Sequence, residues 1–149
     1  MDFNYQKQLE EGLEFQDFVT DKILDNGLVL NCYGSKKYQY EKGESKTGIE
    51  VKLDKRSCHT HNLYIEYAEK KKTSKTFIPS GIARTDNTWL YCIGDYETLY
   101  LIPKKTLKEL KINEMLKHVE TPTSKGYLLP CELAAKHAAL IIKNEKGIS

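Results

Sequence analysis

Apolar residues recur at helical spacing early in the chain, at Leu9, Leu13, Phe18, Val19 and Ile23. This period predicts a helix from Tyr5 to Asp25, stopped by Asn26-Gly27. Leu28 to Tyr33 is a short apolar run that reads as a strand ended by Gly34-Ser35. Further on the period changes to two. Ile49, Val51 and Leu53 alternate with Glu50, Lys52 and Asp54, and Leu63, Ile65 and Tyr67 alternate with Tyr64, Glu66 and Ala68. Both runs read as strands with one buried face. Pro79-Ser80-Gly81 breaks the chain, after which WLYCI (89–93) and TLYLI (98–102) read as strands joined by Gly94 to Glu97. A helix is expected from Thr106 to Leu116, with Thr106 or Pro103 near its start. A loop holding Pro122, Gly126 and Pro130 then leads to a last helix from about Glu132 to Lys143. Helices and strands alternate without an internal repeat or low-complexity linker. The pattern predicts a single α/β domain over residues 1–149, with a mixed central sheet flanked by helices.

Composition narrows the class. The chain has 149 residues, of which 40% are hydrophobic and 30% charged, enough for one core and too polar for a membrane protein. No apolar run approaches the ~20 residues of a membrane span, so no membrane partner is expected. The N-terminus MDFNYQKQLEEG lacks the apolar region of a secretion signal, so a cytoplasmic location is expected. Cys32, Cys58, Cys92 and Cys131 are scattered without a CxxC pair and read as free thiols. A formal charge of +2 excludes a general nucleic-acid coat, but the lysines cluster. Lys70, Lys71, Lys72 and Lys75 follow the second alternating run, and Lys36 and Lys37 follow an earlier apolar one. Such clusters hold phosphates or simply form solvated loops.

The two alternating runs carry the candidate chemistry. If they pair as a hairpin centred on Cys58, Glu50 faces Glu66, Lys52 faces Tyr64 and Asp54 faces Asn62. Apolar side chains then share one face, and two carboxylates stand with Cβ atoms ~5 Å apart. Like charges directly opposite are destabilising, and a hard divalent cation between them removes the repulsion. Asp54, on the same face, is a further ligand candidate, although a strand-end aspartate needs no such role. Cys58-His59-Thr60-His61 has metal-binding residue types but lacks a matching second pair, so it reads as a polar turn. His118 and His137 are isolated and read as helix-surface residues. Trp89, Tyr91 and Tyr100 are able to stack on bases, yet alternation on strands assigns most of them to the core. Asp86-Asn87 reads as a turn or cap before the Trp89 strand.

The order helix, strand, acidic strand pair, strand, strand, helix, together with SGIARTDNTWLYCIGDYETLYLIPKKTLKEL (80–110), resembles the restriction-endonuclease-like nucleases, the PD-(D/E)XK superfamily, and its small phage and mobile-element members. The resemblance covers roughly residues 9 to 110. It implies a restriction-endonuclease-like core and an Mg²⁺- or Mn²⁺-dependent endonuclease of a phage or bacterial cell, acting on DNA. Glu50 would take the first acidic position, Glu66 the second, and Glu14 the glutamate of the first helix. Glu50, Glu66 and the Tyr67 carbonyl would hold the metal, with Glu14 and Asp54 as further ligands. Lys71, Lys72 and Lys75 would contact backbone phosphates, and members that cut both strands pair as homodimers.

This chain departs from the pattern in two places. Glu50 stands where aspartate is usual, and Ala68 occupies the lysine position. The lysine is therefore expected at Lys70, with Lys52 second. A second register takes Glu50-Val51-Lys52 itself as the acid-x-lysine element, with Glu41 or Glu44 as the upstream acid. The missing lysine also leaves open a different class: an inactive nuclease-fold protein that binds nucleic acid or a partner in a defence system.

Overall fold

The computed structural model describes residues 3–25 and 48–144. Helix α1 spans Phe3–Asp25, as its spacing predicts, but its buried stripe is Phe15, Val19 and Ile23. Leu9 and Leu13 lie exposed, one helical face away. The expected strand at 28–33, together with Cys32, Lys36, Lys37, Glu41 and Glu44, lies outside the described residues.

The strands form two four-stranded sheets. β1 (Ile49–Leu53), β4 (Leu90–Gly94), β5 (Thr98–Pro103) and β8 (Leu140–Lys143) make a mixed sheet in the order β1-β4-β5-β8. β2 (Asn62–Glu69), β3 (Ile78–Pro79), β6 (His118–Glu120) and β7 (Ser124–Pro130) make an antiparallel sheet in the order β3-β2-β7-β6. The expected pairing of β1 with β2 is thus overturned. β1 runs parallel to β4, with Glu50 beside Tyr91, and β2 runs antiparallel to β7, with Glu66 beside Gly126. The chain between β1 and β2 is a one-turn helix, α2 (Ser57–Thr60), which carries β2 away from its expected neighbour. The two strands expected at WLYCI and TLYLI form as β4 and β5, and they pair antiparallel with Cys92 beside Leu101.

Two apolar clusters hold these layers. One lies between α1 and the first sheet: Phe15, Val19 and Ile23 against Ile49, Val51, Leu90, Cys92, Leu99 and Leu101. The other lies on the opposite face of that sheet, where Tyr91, Ile93 and Ile102 meet Leu63, Ile65, Tyr127 and Leu129 of the second sheet. Leu107 and Leu110 of α3 (Lys104–Lys111) and Ala134 of α4 (Cys131–His137) complete it. Each fully buried aliphatic side chain contributes about 1.5–3 kcal/mol relative to exposure. The whole is a single α/β domain with a mixed sheet at its centre. Among the described residues no helix is long and apolar enough to cross a membrane.

Two further expectations are corrected at the C-terminal end. Residues 118–130 form the β6–β7 hairpin instead of a loop, with Pro122 in its turn and Pro130 at its last position. The last helix stops at His137, and Leu140–Lys143 joins the edge of the first sheet beside β5. His118 is therefore on a strand, where its Nδ1 lies 2.9 Å from the Tyr67 hydroxyl. Cys92 and Cys131 are free thiols, as expected.

One glycine fixes how the turn after β3 approaches β2. Gly81 has φ +51°, and a Cβ there would stand 2.1 Å from the Glu66 carbonyl oxygen. Both the left-handed backbone and the contact require glycine. Gly81→Ala should therefore cost about 2 kcal/mol or more, read as a lower urea midpoint at unchanged m. An unaltered midpoint would show that β2 and the turn separate freely.

Candidate functional site

Alternation along β1 sends Ile49 and Val51 towards α1 and leaves Glu50 and Lys52 on the other face. There they sit beside Tyr91 and Ile93, their partners on β4. The Glu50 carboxylate is 3.8 Å from the Lys52 ammonium, with side-chain exposures of 13% and 49% respectively. The pair therefore lies at the border between core and solvent.

At the end of β1 the chain turns on Asp54. Its carboxylate accepts the Arg56 N–H at 3.1 Å and the Tyr64 N–H at 2.8 Å, which ties the first sheet to the start of β2. The Ser57 hydroxyl lies 2.9 Å from both the Asp54 carbonyl and the Asp95 carboxylate. Beside Asp54 lies a cleft of about 380 Å³ between β1 and β2. Lys52, Asp54, Lys55 and Arg56 line one side, Tyr64 and Glu66 the other, over Ile82, Tyr91 and Ile93.

Glu66 is held from two directions. The Ser80 hydroxyl donates to one carboxylate oxygen at 3.1 Å, and the Ser124 hydroxyl donates to the other at 2.8 Å. Ser124 in turn lies 2.5 Å from the Tyr64 hydroxyl. Burial pushes the Tyr64 phenol above its ordinary value against the opposing effect of Ser124, and the nearby Glu66 charge adds to the rise. Tyr64 therefore remains a donor across the physiological range. Gly126 permits this arrangement: a Cβ there would stand 2.6 Å from the Tyr64 ring. Sequence reasoning passed over Ser80 and Ser124. Ser80 lay in a chain break and Ser124 in an assumed loop, and neither spacing hints at a carboxylate partner.

The other expected site residues fall elsewhere. Lys70 is not in the cleft; its ammonium donates to the Ser74 carbonyl at 2.9 Å and lies 5.3 Å from the Phe77 ring centre. The Tyr67 carbonyl accepts the Ser80 N–H at 3.1 Å, and Tyr67 stands at a bulge where the β2–β7 register shifts. Glu14 borders a neighbouring cleft of about 390 Å³ with Glu11, Lys55, Asp95 and Glu97. Lys55, which lines both clefts, is ion-paired with Glu11, and that hydrogen bond lowers the Glu11 carboxyl below its usual value. Lys71, Lys72 and Lys75 are exposed in the loop joining β2 to β3. His59 and His61 are exposed in and after α2. Among the described residues no group of three or more His, Cys, Asp and Glu is arranged to hold a metal ion.

The cleft therefore gathers Asp54, Glu66 and Lys52, with Glu50 next to Lys52 along the same face. It leaves out Lys70, Tyr67 and Glu14. Chemically it offers two carboxylates for a hard cation and three cations for a phosphate. No family model, no curated protein and no solved structure matches this chain.

Proposed function

We propose that the protein is a metal-dependent nuclease of the restriction-endonuclease-like class, hydrolysing phosphodiester bonds of DNA in the cleft between β1 and β2. One observation carries this reading: Asp54 and Glu66 share that cleft with Lys52, Lys55 and Arg56. Carboxylates beside cations suit a phosphate bridged by Mg²⁺ or Mn²⁺, since Mg²⁺ is commonly bound through one or two carboxylates and completed by water and phosphate oxygens. Asp54 and Glu66 would offer two carboxylates to such an ion, with water and phosphate oxygens completing its shell. When bound, the metal supplies a lowered pKa for water and neutralises charge on the phosphoryl oxygens. Lys52 would stabilise the same developing charge, oriented by Glu50. This assigns the lysine role to the Glu50-Val51-Lys52 element rather than to Lys70. Lys71, Lys72 and Lys75 would hold flanking phosphates without reading sequence.

A second reading has its own support. Both oxygens of Asp54 and of Glu66 already accept hydrogen bonds from the protein. This satisfied network is what a catalytically inactive nuclease-fold protein, binding nucleic acid or a defence-system partner, would retain. Purified protein incubated with single-stranded, duplex and branched DNA and RNA separates the two readings. Hydrolysis is expected only with Mg²⁺ or Mn²⁺. Either ion should also raise the melting temperature by several degrees, because saturation at 100 Kd stabilises the native state by about 2.7 kcal/mol. Asp54→Asn and Glu66→Gln should each remove that rise. Nucleic-acid binding without hydrolysis in either metal would establish the inactive reading.

A further inference from the structure

Arg56 lines the cleft between β1 and β2 and is exposed to solvent. The two lysines beside it already have anionic partners, Lys52 in Glu50 and Lys55 in Glu11. Among the described residues, the Arg56 side chain makes neither an ion pair nor a hydrogen bond. The carboxylates around it are occupied by other groups. Asp54 accepts the N–H groups of Arg56 and Tyr64, and Glu66 accepts the hydroxyls of Ser80 and Ser124. Asp95 accepts the Ser57 hydroxyl and the N–H groups of Glu97 and Thr98. The Arg56 backbone, by contrast, is fixed. Its N–H donates to the Asp54 carboxylate at 3.1 Å, and its carbonyl accepts the N–H groups of His59 at 3.0 Å and Thr60 at 2.8 Å. The Thr60 hydroxyl adds a third bond to that carbonyl at 3.0 Å. Ser57, the next residue, is 4% exposed and anchored through its hydroxyl to Asp54 and Asp95. A guanidinium on an immobile turn therefore stands in the cleft wall without an anion from the described chain.

We propose that Arg56 docks the substrate strand through a backbone phosphate next to the one bridged at Asp54 and Glu66, setting affinity while Lys52 serves the reaction step. This rests on the nuclease reading for the identity of the bridged phosphate. A guanidinium stays charged, is weakly hydrated and donates two parallel bonds to phosphate oxygens. A phosphate that approaches Lys52 or Lys55 competes with Glu50 or Glu11, whereas one that approaches Arg56 displaces no carboxylate. The fixed backbone also lowers the ordering cost of binding. Arg56 is ion-paired with neither Asp54 nor Glu66, so its guanidinium stands apart from those carboxylates and meets the strand beside them. Such a contact positions the strand and reads no sequence.

The test compares the whole protein with Arg56→Ala, Arg56→Lys and, as a control of equal charge change, Lys136→Ala on the exposed part of α4. Anisotropy of labelled oligodeoxythymidine and of a labelled closed hairpin duplex is followed over a range of salt, in Ca²⁺ to keep strands intact. Arg56→Ala should weaken strand binding roughly ten- to a hundredfold, the range for a lost hydrogen bond between charged groups. Its log–log salt slope should be shallower by about 0.7 on the single strand or about 0.9 on the duplex. Arg56→Lys should recover only part of the affinity, because an ammonium keeps the charge and loses the fork. In Mg²⁺ the Arg56→Ala loss should fall on KM, with kcat reduced far less. Far-UV melting checks that all variants fold. Binding by Arg56→Ala equal to the parent, an equal loss in Lys136→Ala, or no binding by either strand would overturn the proposal. Hydrolysis with unchanged KM in Arg56→Ala removes the docking role and leaves the nuclease. Arg56-dependent strand binding without hydrolysis in Mg²⁺ does the reverse.

Discussion

Lys52→Ala should lower metal-dependent hydrolysis about a hundred- to a thousandfold, the cost of removing one preorganised stabiliser of developing charge. Lys70→Ala should leave hydrolysis close to that of the parent. The motif-based expectation was the opposite, because Lys70 follows the vacant lysine position at Ala68. Under the proposed function the geometry favours the other order. Lys52 lines the cleft beside Asp54 and is 3.8 Å from Glu50, while Lys70 folds back on Ser74 and Phe77. The loss should appear in kcat with little change in metal-induced stabilisation, since the ammonium is needed mainly in the transition state. Lys52→Arg should recover part of the rate by keeping the charge. Equal rates for Lys52→Ala and the parent, with a large loss in Lys70→Ala, would return the role to Lys70.

Asp86→Ala should destabilise the domain by about 3–5 kcal/mol, because it strands a buried ammonium. Asp86 and Lys104 have side-chain exposures of only 2% and 9%, and their charged atoms are 3.1 Å apart. The Lys104 ammonium also donates to the Arg84 carbonyl at 2.6 Å, and the Asp86 carboxylate accepts the Thr88 N–H at 2.9 Å. The pair thus fastens α3 to the turn before β4, in keeping with the cap expected from Asp86-Asn87. A loss of this size is a large part of a typical domain's total of about 5–15 kcal/mol. Replacing both partners, as Asp86→Leu with Lys104→Met, should recover much of it, since the buried ammonium is then gone and only Arg84, whose Nε lies 3.9 Å from the Asp86 carboxylate and whose side chain is partly exposed, loses a partner.

The same pair has a pH signature. Burial by itself would raise the Asp86 carboxyl, but the Thr88 N–H and the Lys104 ammonium outweigh it and hold the group below its ordinary value. A depressed native value means that the unfolded chain binds the proton more readily. The contribution is therefore full above the ordinary aspartate value of about 4 and is lost as pH falls through the native value. Urea unfolding of parent and Asp86→Ala should differ most at neutral pH and converge in acid. A constant difference across that range would assign the loss to packing instead of charge.

The local pattern of the chain determined a good deal. Helical spacing located α1, alternation marked β1 and β2, and WLYCI and TLYLI marked β4 and β5 with the turn between them. Such features are set within a few residues, by the 3.6- and 2-residue periods and by turn chemistry. Alternation also separated Glu50 and Lys52 from Ile49 and Val51. What alternation cannot specify is a strand's neighbour, since a half-buried strand satisfies the same pattern against any partner. Only the tertiary structure placed β1 beside β4 and β2 beside β7, and so dissolved the Glu50–Glu66 opposition. Short apolar runs were equally ambiguous: Leu140 to Ile142 continued a helical pattern in sequence but completes a sheet edge in space. Pro122, Gly126 and Pro130 read as breakers, although they mark the turn, the close approach under Tyr64 and the end of one hairpin. The candidate site divides in the same way. Glu50, Glu66, Asp54 and Lys52 were visible as chemistry on strands, but Ser80 and Ser124 reach Glu66 from 14 and 58 residues away. Contacts over such separations arise from chain folding, and no local period encodes them.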